Sequence, residues 1–264
     1  MKLDKANNID VREIKAFIVN KTLFKSNNNG NFIILNYENA HDVEIKFVDT
    51  GFVTKTHMSQ IKKGKVKDKL LPSVYGVGVI GDKYPSKLNG NWKREYSLWS
   101  GMLCRCHSSK LKSRQPSYEK CQTSNNFNSY TYFHEWCHEQ AGFNDSSFHL
   151  DKDLLIRGNK TYSEDTCVFI PHEINLALIK RDRDRGKYPI GVYYRKRDAR
   201  FAAQINTNEG MQKNLGYFSN ELDAFHAYKQ AKESYLKELA EKHKQHIDIR
   251  AYDALMSYEI TIND

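Results

Sequence analysis

Phe148-His-Leu-Asp-Lys-Asp-Leu-Leu-Ile-Arg-Gly-Asn-Lys-Thr-Tyr-Ser-Glu-Asp-Thr-Cys-Val-Phe-Ile-Pro-His-Glu-Ile-Asn175 is the stretch on which the reading of this chain turns. A short apolar segment carries His149, Asp151 and Asp153 at alternate positions, and on an extended strand alternate residues share one face. A Gly158-Asn159 turn follows, where the Asn159 side chain can brace the loop. A second apolar segment then leads through His172 to Asn175, which opens an expected helix. The order is strand, loop, strand, helix, with hard oxygen donors at both ends.

Upstream of this stretch, Trp92 to Gly142 reads as helical. Tyr96, Trp99, Met102 and Leu103 fall at helix spacing, as do Phe127, Tyr130, Phe133 and Trp136, and such stripes are core. Lys110, Lys112 and Arg114 lie in an expected polar connector between two helices. Residues 72–92 are dense in Gly and Pro (Pro72, Gly76, Gly78, Gly81, Pro85, Gly90), as in a linker or an extended crossing segment. Before them, Asn31–Tyr37, Val43–Val48 and a run from Phe52 read as strands, preceded by a weak helical pattern through Ile14, Phe17 and Ile18. Lysines at 62, 63, 65, 67 and 69 give this small β-rich module a basic rim.

Downstream, Lys180-Arg-Asp-Arg-Asp-Arg-Gly-Lys187 reads as a junction. Strands are expected over 188–194, 200–206 and 213–218, with turns at 195–198 and at Asn208-Glu-Gly210. Ser219 or Asn220 caps a helix to about Lys244, with Glu221 and Asp223 in its first turn. The segment from Ile247 carries no clear pattern. The expected fold class is α+β and multi-domain, divided as 1–85 (β-rich module and linker), 92–180, 187–245 and a 246–264 extension.

With a formal net charge of +9 over 264 residues, the chain is suited to a polyanion, nucleic acid first of all. It opens without a signal peptide, and no apolar run approaches membrane-spanning length. The five cysteines are odd in number and fit free thiols in a reducing cytoplasm. Cys104-x-Cys106 is too tight for a zinc knuckle and no second close pair exists, so structural zinc is not expected. Cutting a phosphodiester needs a base for water and a divalent ion for the developing charge. One or two carboxylate or amide oxygens suffice to hold magnesium.

Leu150-Asp-Lys-Asp-Leu-Leu, Gly158-Asn-Lys-Thr-Tyr-Ser and Thr166-Cys-Val-Phe-Ile-Pro-His-Glu-Ile-Asn175, with the earlier Trp99-x-x-Met-Leu-Cys-Arg-Cys106, resemble the core of phage-encoded HNH endonucleases. The resemblance covers residues 92–180. It implies a ββα-metal fold cleaving or nicking DNA with one divalent ion, Mg2+ or else Mn2+. It assigns catalysis among His149, Asp151, Asp153, Asn159 and His172, and metal ligation to Asp151 and Asn175. The chain departs from the pattern at His149-Leu-Asp-Lys-Asp153: either Asp151 stands at the position of the first His, or, with Asp151 as the metal ligand, Lys152 follows where that His is expected. The base position stays open among His149, Asp151 and His172.

Gly191-Val, Arg200-Phe-Ala-Ala-Gln-Ile205, Leu215-Gly-x-Phe218 and the Ala224/Ala227/Tyr228 helix resemble an Apetala2/ethylene-response-factor DNA-binding domain. That likeness implies a three-stranded sheet in the major groove, with Arg195, Arg197, Arg200, Gln204 and Lys213 as contacts. Together the two resemblances imply a site-specific endonuclease of the homing or mobile-element kind. It would be a monomer on double-stranded DNA in the host cytoplasm, with no small-molecule cofactor and no membrane partner. The rival expectation is a DNA-binding protein on an HNH scaffold without catalysis. The N-terminal module is expected to add DNA contacts.

Overall fold

The computed structural model describes residues 11–180, 186–207 and 212–264. Most of the basic junction and all of the expected 208–210 turn lie outside them. The architecture is α+β with several small sheets. The described residues form two compact units, one of those up to 116 together with 125–134 and one of 117–124 together with those from 135 on. The expected 92–180 segment is thus shared between units, while 187–245 and 246–264 both fall in the second.

In the first unit, α1 (Val11–Val19) buries Ile14 and half-buries Phe17 and Ile18 against a four-stranded antiparallel sheet. Its strands β1 (Phe24–Lys25), β2 (Asn31–Asn39), β3 (Asp42–Phe47) and β4 (Val53–Thr56) lie in sequence order. Val43, Ile45 and Phe47 point inward while Lys46 is exposed, the alternation of a half-buried strand. Phe32 pairs with Phe47 and Ile34 with Ile45, so the apolar face is continuous across the sheet. A short helix, α2 (Met58–Lys62), closes it with Met58 and Ile61. The Gly/Pro-dense segment is not a bare linker. It contains a hairpin of β5 (Lys87–Leu88) and β6 (Asn91–Trp92), turning at Asn89 and Gly90, both with positive φ.

The expected all-helical region is broken. It holds α3 (Arg94–His107), α4 (Ser109–Arg114), two 3-10 turns, a short strand β7 (Gln122–Thr123) and α5 (Tyr130–Glu139). Lys110, Lys112 and Arg114 ride on α4 rather than on an open connector, because the Ser108 hydroxyl accepts the Leu111 N–H and caps a new helix. Trp99, Met102 and Leu103 are fully buried, and the Trp99 indole N–H donates to the Phe127 carbonyl at 2.8 Å.

The second unit places β8 (Phe148–Asp151) antiparallel to β10 (Val168–Pro171), and β9 (Thr161–Tyr162) parallel to β7. All four residues of β10 are buried. The helix α6 (His172–Leu178) follows β10 directly, and the His172 N–H donates to the Ser147 carbonyl. Next come β11 (Val192–Arg195), β12 (Arg200–Asn206) and β13 (Gln212–Phe218), an antiparallel sheet in that order. The first strand begins later than the expected 188, because Pro189 and Gly191 form a turn closed by the Val192 N–H on the Pro189 carbonyl. Asn220, not Ser219, caps α7 (Glu221–His243). The sheet packs on α7 through Val192, Ala203 and Ile205 against Ala224, Phe225 and Tyr228.

The 246–264 segment is ordered structure rather than a patternless extension. It forms α8 (Ile249–Met256), capped by Asp248 and burying Ala251 and Leu255, and then sets Ile260 into the sheet–helix core.

Gly191 sits at φ +76°, and a Cβ there would lie 2.0 Å from the Tyr228 ring. Both the backbone and the packing demand glycine. Gly191→Ala is expected to destabilise the second unit by about 3 kcal/mol, from left-handed strain plus overpacking. Urea unfolding followed by tryptophan fluorescence and circular dichroism checks it; an unchanged midpoint would contradict the packing.

Candidate functional site

Two places in the second unit concentrate chemistry. The first is built by β8, the loop after it, and α6. β8 is short because Asp151 ends it: Asp151 Oδ1 accepts the Asp153 N–H at 2.8 Å and the Leu154 N–H at 2.7 Å, turning the chain. His149 and Asp151 therefore share the strand, and Asp153, expected on the same face, lies beyond the turn. Asp153 is exposed and ion-paired with Lys152 at 2.5 Å. Lys152 itself is buried, its ammonium also donating to the Asn159 carbonyl at 3.2 Å.

Asn159 spends both ends of its amide on backbone. Nδ2 donates to the Lys152 and Thr161 carbonyls, each at 2.7 Å, and Oδ1 accepts the Thr161 N–H at 3.0 Å. It is a positioning residue that staples the β8–β9 loop, the bracing role its turn position suggested.

Across from β8, the first turns of α6 present His172 and Asn175. The Asn175 amide nitrogen and His149 Nδ1 are 3.2 Å apart. The contact can be made in two senses, amide N–H to imidazole lone pair or, with the amide turned over, imidazole N–H to amide oxygen. In the second sense His149 keeps the Nε2 lone pair of a base. The His172 ring lies 4.6 Å from the His149 ring and is exposed. The structure thus gathers His149, His172 and Asn175, while Asp153 and Asn159 do other work.

Asp151 and Asn175 also line one open groove of about 400 Å³, together with Arg157, Lys160, Lys180 and Tyr258. Burial pushes the Asp151 carboxyl above its ordinary range, against the pull of the Leu154 and Asp153 N–H groups. A desolvated carboxylate facing a groove favours a cation. Asp151 and Asn175 each bring a side-chain oxygen to this groove. Arg157 and Lys180 both hold the Asp264 carboxylate, Lys180 at 2.6 Å. Among the described residues Lys160 stands outside any ion pair on this rim. Sequence reasoning missed Lys160, Arg157, Lys180 and Asp264, because Asp264 is more than eighty residues from the partners it meets.

Glu173, on the next position of α6, is held by Lys242 at 2.8 Å and by His243, both from α7. Partial burial raises the Glu173 carboxyl, but Lys242 and His243 outweigh it and hold it below its ordinary 4.5. Asp264 is likewise raised by desolvation, then driven far below its ordinary 3.8 by Arg157 and Lys180.

The second place is the outer face of the β11–β13 sheet. Cross-strand partners share a face, so Tyr193, Ala202 and Tyr217 form one row and Arg195 and Arg200 the next. Ala202 is fully buried between the two tyrosines. Arg195 stacks on Tyr217 at 4.5 Å and pairs with Asp198 at 3.1 Å. The exposed Arg197 in the hairpin turn reaches the same Asp198. Gln204 follows a bulge and faces outward with Asn214. Lys213 does not join them. It pairs with Ile205 on the helix-side face, because the bulge inserts Leu215 and shifts the register.

The five cysteines are free, and four of them are buried. Burial pushes the Cys167 thiol up to about 12, which keeps it inert. In the first unit two metal-type donors, Glu95 and His134, meet at 3.5 Å, with the Lys93 ammonium 3.6 Å and 3.3 Å from them. Among the described residues no helix is long and apolar enough to cross a membrane. No family model, curated protein or solved structure matches the chain.

Acid should loosen the second unit. The folded Glu173 and Asp264 carboxyls lie below their ordinary 4.5 and 3.8, so their contribution is full above those values. It is lost as pH falls through the folded ones. Asp151 is shifted the other way and opposes the loss. Asp264→Asn is therefore expected to cost about 1–3 kcal/mol near pH 7 and to flatten the fall in stability below pH ~4. Urea midpoints measured across pH test it; parallel acid limbs for the two proteins would contradict the assignment.

Proposed function

We propose that this chain is a site-specific DNA endonuclease of the HNH kind, with a metal-assisted ββα core and an Apetala2-like sheet that selects the site. The observation that carries this reading is the meeting of His149 with Asn175 beside a groove that Asp151 and Asn175 line together. A base, two oxygen donors and a basic rim are what phosphodiester hydrolysis asks of a protein. The mobile-element character follows from the paired resemblances.

Asp151 and Asn175 would hold a divalent ion, Mg2+ by the hardness of their oxygens. When bound, it would neutralise charge on the phosphate and on the leaving oxygen. His149 takes the proton of the attacking water at Nε2, its ring oriented through Nδ1 by Asn175. Lys160 faces the phosphate across the groove. Asn159 and Lys152 hold the loop so that Asp151 keeps its place. On the sheet, Arg195 and Arg200 face each other across two strands, an arrangement that costs stability until an anion lies over it. Tyr193 and Tyr217 flank them, and Arg200 and Gln204 are the base-reading side chains of this proposal.

Two measurements test the reading. Supercoiled plasmid carrying the parent locus should be relaxed or linearised with Mg2+ and left intact with EDTA. His149→Ala and Asn175→Ala should each slow this by about 10²- to 10⁴-fold, and Asp153→Asn by less than about 10-fold. Absence of cleavage with Mg2+ and with Mn2+ would sink the enzyme and favour the binding protein on the same scaffold. Separately, Arg200→Ala should cost about 1–3 kcal/mol of affinity for the preferred site and far less for scrambled DNA. Equal losses on both would remove Arg200 from base reading.

A further inference from the structure

The segment Lys63 to Leu70 of the first unit belongs to no helix or sheet, yet its burial alternates. Gly64, Val66 and Asp68 are buried, and Lys63, Lys65, Lys67 and Lys69 are exposed. The alternation has a physical cause in the 26–29 loop. The buried Ser26 hydroxyl donates to the Val66 carbonyl at 2.7 Å, and the Asn27 N–H to the Gly64 carbonyl at 2.8 Å. The Asp68 N–H donates to Asn29 Oδ1 at 3.3 Å. The Asp68 carboxylate in turn accepts the Thr50 hydroxyl at 2.5 Å and the Leu70 N–H at 2.9 Å. Val66, at 3% exposure, is set into the core of the four-stranded sheet. Each anchored residue points inward, so the lysines between them must point out.

The result is three exposed lysines, Lys65, Lys67 and Lys69, at alternate positions; where the backbone between them is extended, their Cα atoms stand roughly 6.6–6.8 Å apart per step. That is close to the separation of successive phosphates along one nucleic-acid strand. A flexible lysine-rich loop has no such fixed spacing. The acid within the row, Asp68, is turned inward and occupied. Among the described residues, Lys65, Lys67 and Lys69 are in no ion pair with one another's neighbours or with the sheet. Their charges are available to an external anion.

We propose that Lys65, Lys67 and Lys69 form a phosphate rail, a sequence-independent contact surface for the backbone of duplex DNA. The proposal extends the DNA reading above to the 63–70 segment of the first unit, which the two family resemblances do not cover. It concerns binding alone and does not depend on cleavage.

The test is the salt dependence of binding of the full chain to a labelled duplex of random sequence, by fluorescence anisotropy in EDTA. Each phosphate contact contributes about 0.9 to the slope of log K against log salt. Joint substitution Lys65→Ala, Lys67→Ala, Lys69→Ala should reduce that slope by about 2–3. A control of equal charge loss, Lys15→Ala, Lys46→Ala, Lys120→Ala, removes exposed lysines outside the row and should change the slope by less than about 1. Circular dichroism establishes that both variants fold. Equal effects of the two variants would overturn the rail, as would wild-type protein that binds no duplex, or that binds only an acidic polypeptide such as polyglutamate. Loss of slope without plasmid cleavage leaves the rail standing and removes the nuclease reading. Cleavage with an unchanged slope does the reverse.

Discussion

The amide of Asn159 holds the chemistry of the second unit in place. Nine residues, 152–160, separate Asp151 at the end of β8 from β9, and such a loop wanders unless its backbone groups are satisfied. Asn159 closes it by tying the Lys152 and Thr161 carbonyls and the Thr161 N–H to one side chain. Lys152 then binds the Asn159 carbonyl from the other side. Asp151 contributes the third tie through the N–H groups of Asp153 and Leu154. With the loop fixed, β8 keeps its register on the fully buried β10, and α6 starts where β10 ends. His149 and Asn175 meet because the β8–β10 pairing sets the start of α6 beside β8, with the intervening loop held by these ties.

Electrostatics in this unit is organised by carboxylates that are already committed. Glu173 binds α6 to α7 through Lys242 and His243, and Asp264 draws Arg157 and Lys180 together at the groove. These pairs tie the segment bearing His172 and Asn175 to the helix that backs the β11–β13 sheet. The long α7 thus has two duties: one face packs the sheet, and its last turn holds α6. The groove and the sheet face are consequently parts of one folded body, consistent with their grouping in a single compact unit.

The basic surplus of the chain is not spread evenly. On the β11–β13 sheet Arg195 and Arg200 are forced opposite each other by the register, eased on one side by Asp198 and Tyr217. In the first unit the anchors from Ser26, Asn27 and Asn29 sort a lysine-rich segment into buried and exposed positions. In both places backbone geometry, not composition, concentrates like charge.

Much of this was legible in the residues themselves. Alternation marked Val43–Val48 as a strand, and helical spacing marked Trp99, Met102 and Leu103 as core. The Gly-Asn turn marked Asn159 as a brace, and Asn220 was one of two candidate caps. Such signals are local, because they depend on periods of 2 and 3.6 residues and on side chains that bond their own backbone. They could not show that Ser108 would start a fresh helix inside an apparent connector. Nor could they show that the bulge at Leu215 would turn Lys213 to the other face, or that 246–264 would fold onto α7. The sequence by itself determined the α+β elements, the turn chemistry and the set of groups able to act. Only the tertiary structure decided which of them meet, His149 with Asn175 and Asp264 with Arg157, because contacts across tens of residues are fixed by long-range packing and not by spacing along the chain.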